Sequence, residues 1–291
     1  MNIPPYWAKE RFTGPNRRGT EETFTASGWS FHSMEEARGE ALSRAKRIFD
    51  LITMGKKPQE YEYLDRPIRE EIVEVVDKDQ SNTSEPGLVI TRNRYGALVL
   101  NASQVLFADV DCPRARPTGL WEALLWPFSS ARRKRKQEAL WEETVSRVED
   151  WGRANGRRRF RLYRTHSGLR LFFVDKLYDP TSQEVTRLLS DLGSDPLYKK
   201  LTEKQQCFRA RLTPKPWRCA KERPPNSYPW TDADEEEAYR RWEADYTRAS
   251  EGYMTCLLME KDAPLSGIPV IQRAISIHDQ WCCREPELPL A

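Results

Sequence analysis

The stretch "VLFADVDCP", residues 105–113, is an apolar run that ends in two acidic side chains, Asp109 and Asp111. Aspartate is unfavourable in strands and costly to bury without a partner, so two of them at alternate positions indicate a role beyond packing. Because side chains alternate across a strand, Asp109 and Asp111 are predicted to share one face with Phe107. A carboxylate pair at this spacing can hold a divalent cation through oxygen ligands. We therefore expect Mg²⁺ or Mn²⁺ at Asp109 and Asp111.

The composition allows a substantial core but no global nucleic-acid surface. The chain has 291 residues, of which 38% are hydrophobic, including 10 Trp. Its 47 Lys and Arg are nearly balanced by 44 Asp and Glu, which leaves a net charge of +3. Any surface that binds nucleic acid must therefore be local.

The start of the chain, "MNIPPYWAKERF", lacks the apolar stretch of a secretory signal. No apolar run approaches the roughly 20 residues of a membrane span. Six cysteines are too few for a disulfide scaffold at this length. We expect a cytoplasmic protein with reduced thiols and no membrane span.

The order of elements after residue 104 predicts the fold. A strand is followed by a long helical excursion, two strands around "HSG", a capped helix and the strand "CFRARL". This β-α-β-β-α-β order is typical of a ferredoxin-like or RNA-recognition-like core, in which helices cover one face of an antiparallel sheet. The predicted class is therefore α+β.

The same patterns predict the domain organisation. Residues 1–80 are expected to form a ββα unit packed on the core, whose helix begins at the capping box of Ser33 and Glu36. We expect the α+β core over residues 86–279, followed by a tail over 280–291. The core is predicted to carry helical insertions at about 113–155 and 224–262. The second insertion is expected to form a C-terminal helical layer.

Two further segments are assigned from local pattern. "DRPIREEIVEVV", residues 65–76, is predicted to be a short helix, and "PVIQRAISIHD", residues 269–279, a last strand.

Each strand of the proposed core has one apolar face and one face with charge or an aromatic ring. The second face uses arginine and aromatic residues instead of the Lys, Glu and Thr of ordinary solvated faces: Arg159, Arg161, Tyr163, Arg170, Phe172, Arg209 and Arg211. Arginine provides a rigid fork for phosphate, and aromatic rings provide stacking surfaces for bases. The alternative is a solvated face whose Asp–Arg pairs contribute about 0.2–1 kcal/mol each.

A second unusual stretch, "FRARLTPKPWRC", residues 208–219, runs from a strand into a proline-stiffened loop with cations and an indole. We predict phosphate binding by Arg170, Arg209, Arg211, Lys215 and Arg218, and base stacking by Tyr163, Phe172 and Trp217. The alternative is structural ion pairing with the acidic helix at "DADEEE", residues 232–237.

Over roughly residues 104–279 the chain loosely resembles the archaeo-eukaryotic primase–polymerase superfamily. The aspartate pair resembles the first motif of that family, and "THSGLRLFF", residues 165–173, is similar to the second. The resemblance implies that Asp109 and Asp111 bind a catalytic metal.

It further implies that a basic residue of the second motif binds the nucleotide, namely Arg170 or, with a shift, His166. A third carboxylate would complete the metal site, with Asp279 as the first candidate and Asp175 as the second. The catalytic residues predicted in this way are Asp109, Asp111, His166 and Asp279. Phrases such as "RNRYGALVLNA" also resemble a widespread group of uncharacterised bacterial proteins, which implies no activity.

Two other patterns leave alternatives open. A zinc site could draw on Cys207, Cys219, His278, Cys282 and Cys283, but their spacing matches no recognised ligand pattern, so buried thiols acting as small hydrophobes are favoured. "LWEALLWPFSSARRKRKQ", residues 120–137, could be a membrane-surface or partner-binding helix, although a packed helix with a solvated basic end is more common.

The first functional hypothesis is a metal-dependent protein that binds a nucleotide or nucleic acid, either a primase-like nucleotidyltransferase or a degenerate relative. The second is a non-catalytic module that binds single-stranded nucleic acid through the same face without metal. The third is a structural or partner-binding protein in which the Asp and Arg side chains only pair with each other.

Overall fold

The computed structural model describes residues 1–55, 67–78, 86–260 and 263–291. They form an α+β protein in which three sheets are built from antiparallel strands. The predicted class is confirmed.

The chain divides into two compact units. The first unit comprises residues 1–103 and 204–253, and the second comprises residues 104–203 and 254–291. This division differs from the predicted one because part of the expected core joins the N-terminal segment in the first unit.

The first unit begins with a hairpin and a helix, as predicted. Strand β1 (Tyr6–Pro15) pairs with β2 (Glu21–Ser30), and helix α1 (Met34–Thr53) follows. The Oγ atom of Ser33 accepts a hydrogen bond from the backbone N–H of Glu36 at 3.1 Å, so the predicted N-cap is present.

A four-stranded sheet completes the first unit together with helix α6 (Ala233–Ser250). Its strands are β3 (Glu71–Lys78), β4 (Pro86–Arg92), β5 (Leu98–Ala102) and β9 (Phe208–Arg211), in the order β3-β4-β5-β9. Strands β4 and β5 form a hairpin in which Ile90 pairs with Leu100.

The short helix predicted over residues 65–76 is wrong where the structure describes it. Residues 71–78 form β3, because β-branched side chains dominate "EIVEVV" and favour the extended conformation. Residues 65 and 66 of the predicted helix lie outside the described residues.

The sheet of the second unit contains the strand that ends in Asp109 and Asp111. Its strands are β6 (Phe107–Asp111), β7 (Phe160–Thr165), β8 (Gly168–Phe173) and β10 (Cys256–Leu258). Their order is β10-β7-β8-β6, and every pairing is antiparallel.

Helices complete this unit: α2 (Leu120–Leu125), α3 (Ser130–Ala154), α4 (Gln183–Asp191), α5 (Pro196–Gln205) and α7 (Pro269–Cys282). On one face of the sheet, the Trp151 ring of α3 lies 6.1 Å from Phe160 and 6.2 Å from Phe173. Helix α3 confirms the long helix that was expected within the first insertion.

The last strand predicted over residues 269–279 is wrong, because this segment is helix α7. Pro269 occupies the first turn, where it is compatible with a helix. The buried residues recur at helical spacing: Ile271, Ala274, Ile275, His278 and Cys282.

The ferredoxin-like arrangement is not confirmed. Strands β6, β8 and β7 are neighbours in one sheet, but β9 pairs with β5 in the sheet of the first unit. Side chains of α7 contact the face opposite α3, so helices cover both faces and not one.

The membrane-span prediction can be compared with the helices. Within the parts of the chain that the structure describes, no helix is both long enough and apolar enough to cross a membrane.

Candidate functional site

Asp109 and Arg170 lie directly opposite each other on β6 and β8. The Nε and Nη2 atoms of Arg170 donate hydrogen bonds to the two carboxylate oxygens of Asp109 at 2.7 and 3.1 Å. The arginine side chain is 4% exposed and the aspartate side chain 47% exposed. Burial alone would lower the pKa of Arg170, but the adjacent Asp109 carboxylate outweighs it and the pKa is raised.

This pairing bears on two predictions. The fork of Arg170 that was expected to bind phosphate is buried and occupied by Asp109, so the structure does not support that role. The Mg²⁺ or Mn²⁺ site at Asp109 and Asp111 stays a prediction, and a cation there has to compete with the guanidinium for Asp109.

The backbone around Asp111 explains the glycine of the "HSG" turn. Asp111 lies opposite Gly168, and it is exposed like Asp109, whereas Val110 between them is buried. A Cβ atom on Gly168 would lie 2.1 Å from the backbone oxygen of Val110. The glycine is therefore required by the close approach of β6 and β8.

Asp279, the predicted third carboxylate, lies on α7 and is held by the sheet. It accepts hydrogen bonds from the Tyr163 hydroxyl at 2.7 Å and from Nη2 of Arg161 at 2.9 Å. Burial opposes ionisation of Asp279, but the hydrogen bond and charge of His278, together with Tyr163 and Arg161, lower its pKa. Asp175, the second candidate, instead accepts from the Tyr178 hydroxyl at 2.9 and 3.0 Å.

His278 connects the two aspartates of this network. Its Nδ1 lies 2.9 Å from Oδ1 of Asp279, and its Nε2 lies 3.4 Å from Nη1 of Arg170. Asp109 and Asp279 are thus joined through Arg170 and His278, and among the described residues no cluster of potential metal ligands contains both aspartates.

Two cysteines complete the network. Nη1 of Arg170 lies 3.7 Å from Sγ of Cys256, and Cys256, His278 and Cys282 are all fully buried. A hydrogen bond with Cys282 and the charge of Arg170 lower the pKa of Cys256 in spite of its burial, whereas burial raises the pKa of Cys282.

Cys256 was not among the candidate zinc ligands predicted from the sequence. It lies on the short strand β10, which the sequence pattern merged with the preceding acidic helix. Cys207 and Cys219, which that set contained, belong to the first unit.

The rings predicted to stack with bases differ in exposure. Tyr163 and Phe172 are fully buried. The Phe172 ring contacts Phe107 edge-on, with centroids 4.7 Å apart, and it lies 5.6 Å from His278. Both rings are packed against other side chains, so the structure does not support a base-stacking role for either.

The other predicted phosphate ligands belong to the first unit. Nη2 of Arg209 donates to both carboxylate oxygens of Glu70 at 2.6 Å, so this arginine is ion-paired, although not with the acidic helix. Arg211 lies opposite Val99 in the β5–β9 pair.

The proline-stiffened loop forms a cluster of cations and rings in the first unit. Trp217 is 46% exposed, and its ring lies 5.3 Å from that of Tyr95. Nζ of Lys215 lies 5.7 Å and Cζ of Arg223 lies 5.5 Å from the Trp217 ring. Arg218 is half-buried in the same loop. Trp217 thus remains a candidate stacking residue.

The second unit contains a cleft of about 750 Å³, which we call the basic cleft. Its walls are the segment after β6, one face of α3 and the turn between β7 and β8. Four cationic side chains and one carboxylate line it: Arg114, Arg133, Lys134, Arg164 and Glu138. Among the described residues, Arg114, Arg133 and Arg164 take part in no salt bridge.

Aromatic and turn residues complete the basic cleft. Trp126 and Trp141 are half-buried in its wall, and Cζ of Arg164 lies 4.6 Å from the Trp141 ring. His166 and Ser167 also line it, with Nδ1 of His166 3.0 Å from Oγ of Ser167. His166 is therefore the predicted catalytic residue that lies at this cleft.

The wall after β6 is fixed to α3 and to the turn by hydrogen bonds. The side chain of Gln137 accepts from the N–H of Ala115 and donates to the carbonyl of Pro113, both at 3.0 Å. The N–H of Cys112 donates to the carbonyl of Ser167 at 2.9 Å. The positions of the cleft walls are thus set by specific contacts, which is a feature of preformed binding sites.

Comparisons of the chain with models of protein families, with curated proteins and with solved structures found no match. The resemblance to primase–polymerases therefore stays a prediction.

Proposed function

We propose that the second unit binds phosphate-bearing nucleotide ligands in the basic cleft, as a free nucleotide or as a segment of single-stranded nucleic acid. One observation carries this proposal: four cations and one carboxylate surround a cleft of about 750 Å³ that also contains two tryptophan rings. Proteins that bind single strands combine a cationic groove with aromatic stacking surfaces in this way.

The side chains divide into two roles. Arg114, Arg133 and Arg164 are exposed and supply guanidinium groups for phosphate. Trp126 and Trp141 supply ring surface for bases, each worth about 1–3 kcal/mol per stacked base. The turn with His166 lies at the same cleft and can hydrogen-bond the sugar or phosphate.

Binding without metal is favoured over nucleotidyl transfer. The ion pair with Arg170 occupies both oxygens of Asp109, and Asp279 is engaged by Tyr163 and Arg161. Metal-dependent transfer of the primase type therefore stays a prediction from the sequence resemblance, and the proposed function does not depend on it.

The proposal is tested by fluorescence anisotropy with a fluorescein-labelled oligothymidine strand. The double variant Arg133→Ala/Arg164→Ala should lose at least about tenfold in affinity, which corresponds to about 1.4 kcal/mol. Its slope of log K against log salt concentration should also fall by about 0.7 for each lost phosphate contact.

The matched control is Arg187→Ala/Lys200→Ala, which removes two exposed cations from the same unit outside the cleft. This control should bind like the wild type. Equal losses of affinity in both double variants would show that net charge alone explains the effect, and this would contradict the proposal. Displacement of the labelled strand by ATP would show that a free nucleotide binds the same cleft.

A further inference from the structure

Cys256, His278 and Cys282 bring together the donor atoms that zinc prefers. Their Sγ and imidazole nitrogen atoms lie within 4.8 Å of one another, and all three side chains are fully buried. His278 and Cys282 are four residues apart on α7, so they share one face of the helix, and Cys256 reaches them from β10. Two thiolates and an imidazole are ligands of zinc sites, where the donor atoms converge at similar separations.

The neighbours of His278 favour metal binding through one particular nitrogen. Nδ1 of His278 lies 2.9 Å from Oδ1 of Asp279, which is itself held by the Tyr163 hydroxyl and by Arg161. A carboxylate at Nδ1 fixes this nitrogen as the proton carrier and leaves Nε2 unprotonated for a metal. Carboxylate–histidine–zinc chains use the same arrangement.

We propose that Cys256, His278 and Cys282 bind one zinc ion in the second unit. Three protein donors leave the fourth tetrahedral position to a solvent molecule. This site is separate from the basic cleft, and its existence does not depend on the proposed nucleotide binding.

The charges near the site suit a bound zinc ion. Two thiolates neutralise the divalent cation, and Asp109 neutralises Arg170, so the buried group as a whole carries no net charge. Nη1 of Arg170 lies 3.7 Å from Sγ of Cys256 and can remain there as a donor to the bound thiolate. Its 3.4 Å contact with Nε2 of His278 is replaced by the metal.

A second trio, His278, Asp279 and Cys283, shares the histidine. The first trio is favoured because Asp279 already accepts hydrogen bonds from Tyr163 and Arg161. Cys283→Ser is therefore a matched control from the adjacent position, and Cys207→Ser is a control at an equally buried cysteine of the first unit.

The test is the zinc content of protein loaded with Zn²⁺ under reducing conditions and then desalted. The wild type, Cys283→Ser and Cys207→Ser should retain one zinc ion per chain, whereas Cys256→Ser and Cys282→Ser should retain none. A wild type without bound zinc overturns the proposal, as does loss of zinc in Cys283→Ser together with its retention in Cys256→Ser.

Because a cysteine variant can fail to fold, the wild type is also titrated with Co²⁺. Binding by two thiolates should give intense thiolate-to-cobalt charge-transfer absorption in the near ultraviolet and the visible bands of tetrahedral cobalt. Zn²⁺ should abolish both and raise the melting temperature, since it binds the folded state. Absence of the charge-transfer absorption overturns the proposal regardless of how the variants behave.

Discussion

The carboxylate of Asp109 on β6 is bound by both arms of the Arg170 guanidinium on β8, with which it is in direct register. The arginine is buried and the aspartate half exposed, so the pair neutralises a charge that the sheet could not otherwise accommodate. The acidic end of β6 thus has a structural explanation at Asp109.

Asp109→Asn should destabilise the protein by about 2 kcal/mol, because it leaves the buried guanidinium of Arg170 without its counter-charge. Removing one partner of a fully buried pair costs about 3–5 kcal/mol. The loss here is smaller because Asp109 is 47% exposed and water can replace part of the interaction. Urea unfolding of wild type and variant measures the difference.

Asp245→Asn is the matched control for that experiment. Asp245 is similarly exposed at 52%, but its partner Arg248 is itself 76% exposed. We expect a change below about 0.5 kcal/mol. An equal cost for the two substitutions would contradict the assignment of Arg170 as the reason for the effect.

In protein whose proposed zinc site is already filled with Zn²⁺, added Mn²⁺ should leave the melting temperature unchanged, because Arg170 already occupies both oxygens of Asp109. A thermal-shift titration checks this. A rise in melting temperature with Mn²⁺ that Asp109→Asn abolishes would restore the carboxylate metal site predicted from the sequence.

Gly168→Ala should cost about 3 kcal/mol or more, because the new Cβ would lie 2.1 Å from the backbone oxygen of Val110 and force β6 and β8 apart. Gly267→Ala, in the same unit, has no atom within 4 Å of its added Cβ and should change the free energy of unfolding by less than about 0.5 kcal/mol. Similar costs in urea unfolding would contradict the close-approach explanation.

Glu235 makes a pH-dependent contribution to the stability of the first unit. Its pKa is lowered, chiefly because its carboxylate accepts the N–H of Thr231 at 2.9 Å, with Lys9 adding to the effect against the opposing influence of burial. A lowered folded-state pKa gives stability that is present above the unfolded value of about 4.3 and is lost as the pH falls through the folded value.

Glu235→Gln should therefore lower the free energy of unfolding by about 1 kcal/mol at pH 7, and the difference from wild type should shrink as the pH falls below about 4. Unfolding curves at several pH values measure it. A difference that stays constant or grows in acid would contradict this account.

The sequence predicts well what depends on local periodicity. The alternation of β6 places Asp109 and Asp111 on one face, and the Ser33 cap marks the start of α1, as the structure confirms. These features depend on residues close together in the chain, so the pattern contains enough information to predict them.

The failures arise where the partner is distant in sequence. The alternating pattern of β9 specifies a half-buried strand but not its neighbour, and the strand pairs with β5 and not with β6. In α7, an apolar run that includes β-branched residues suggested a strand, but its helical spacing places His278 and Cys282 together on the sheet. The network around Arg170 could not be predicted without knowing that α7 packs on this sheet.

The most direct test of nucleotide binding in the basic cleft is photochemical cross-linking of an oligonucleotide that contains 4-thiothymidine, followed by mass spectrometry of the peptides. Binding in the basic cleft should give cross-links in peptides that contain Trp126 or Trp141, and these cross-links should be lost in Arg133→Ala/Arg164→Ala. Cross-links confined to the peptide that contains Trp217, or none at all under conditions in which the strand binds, would contradict it.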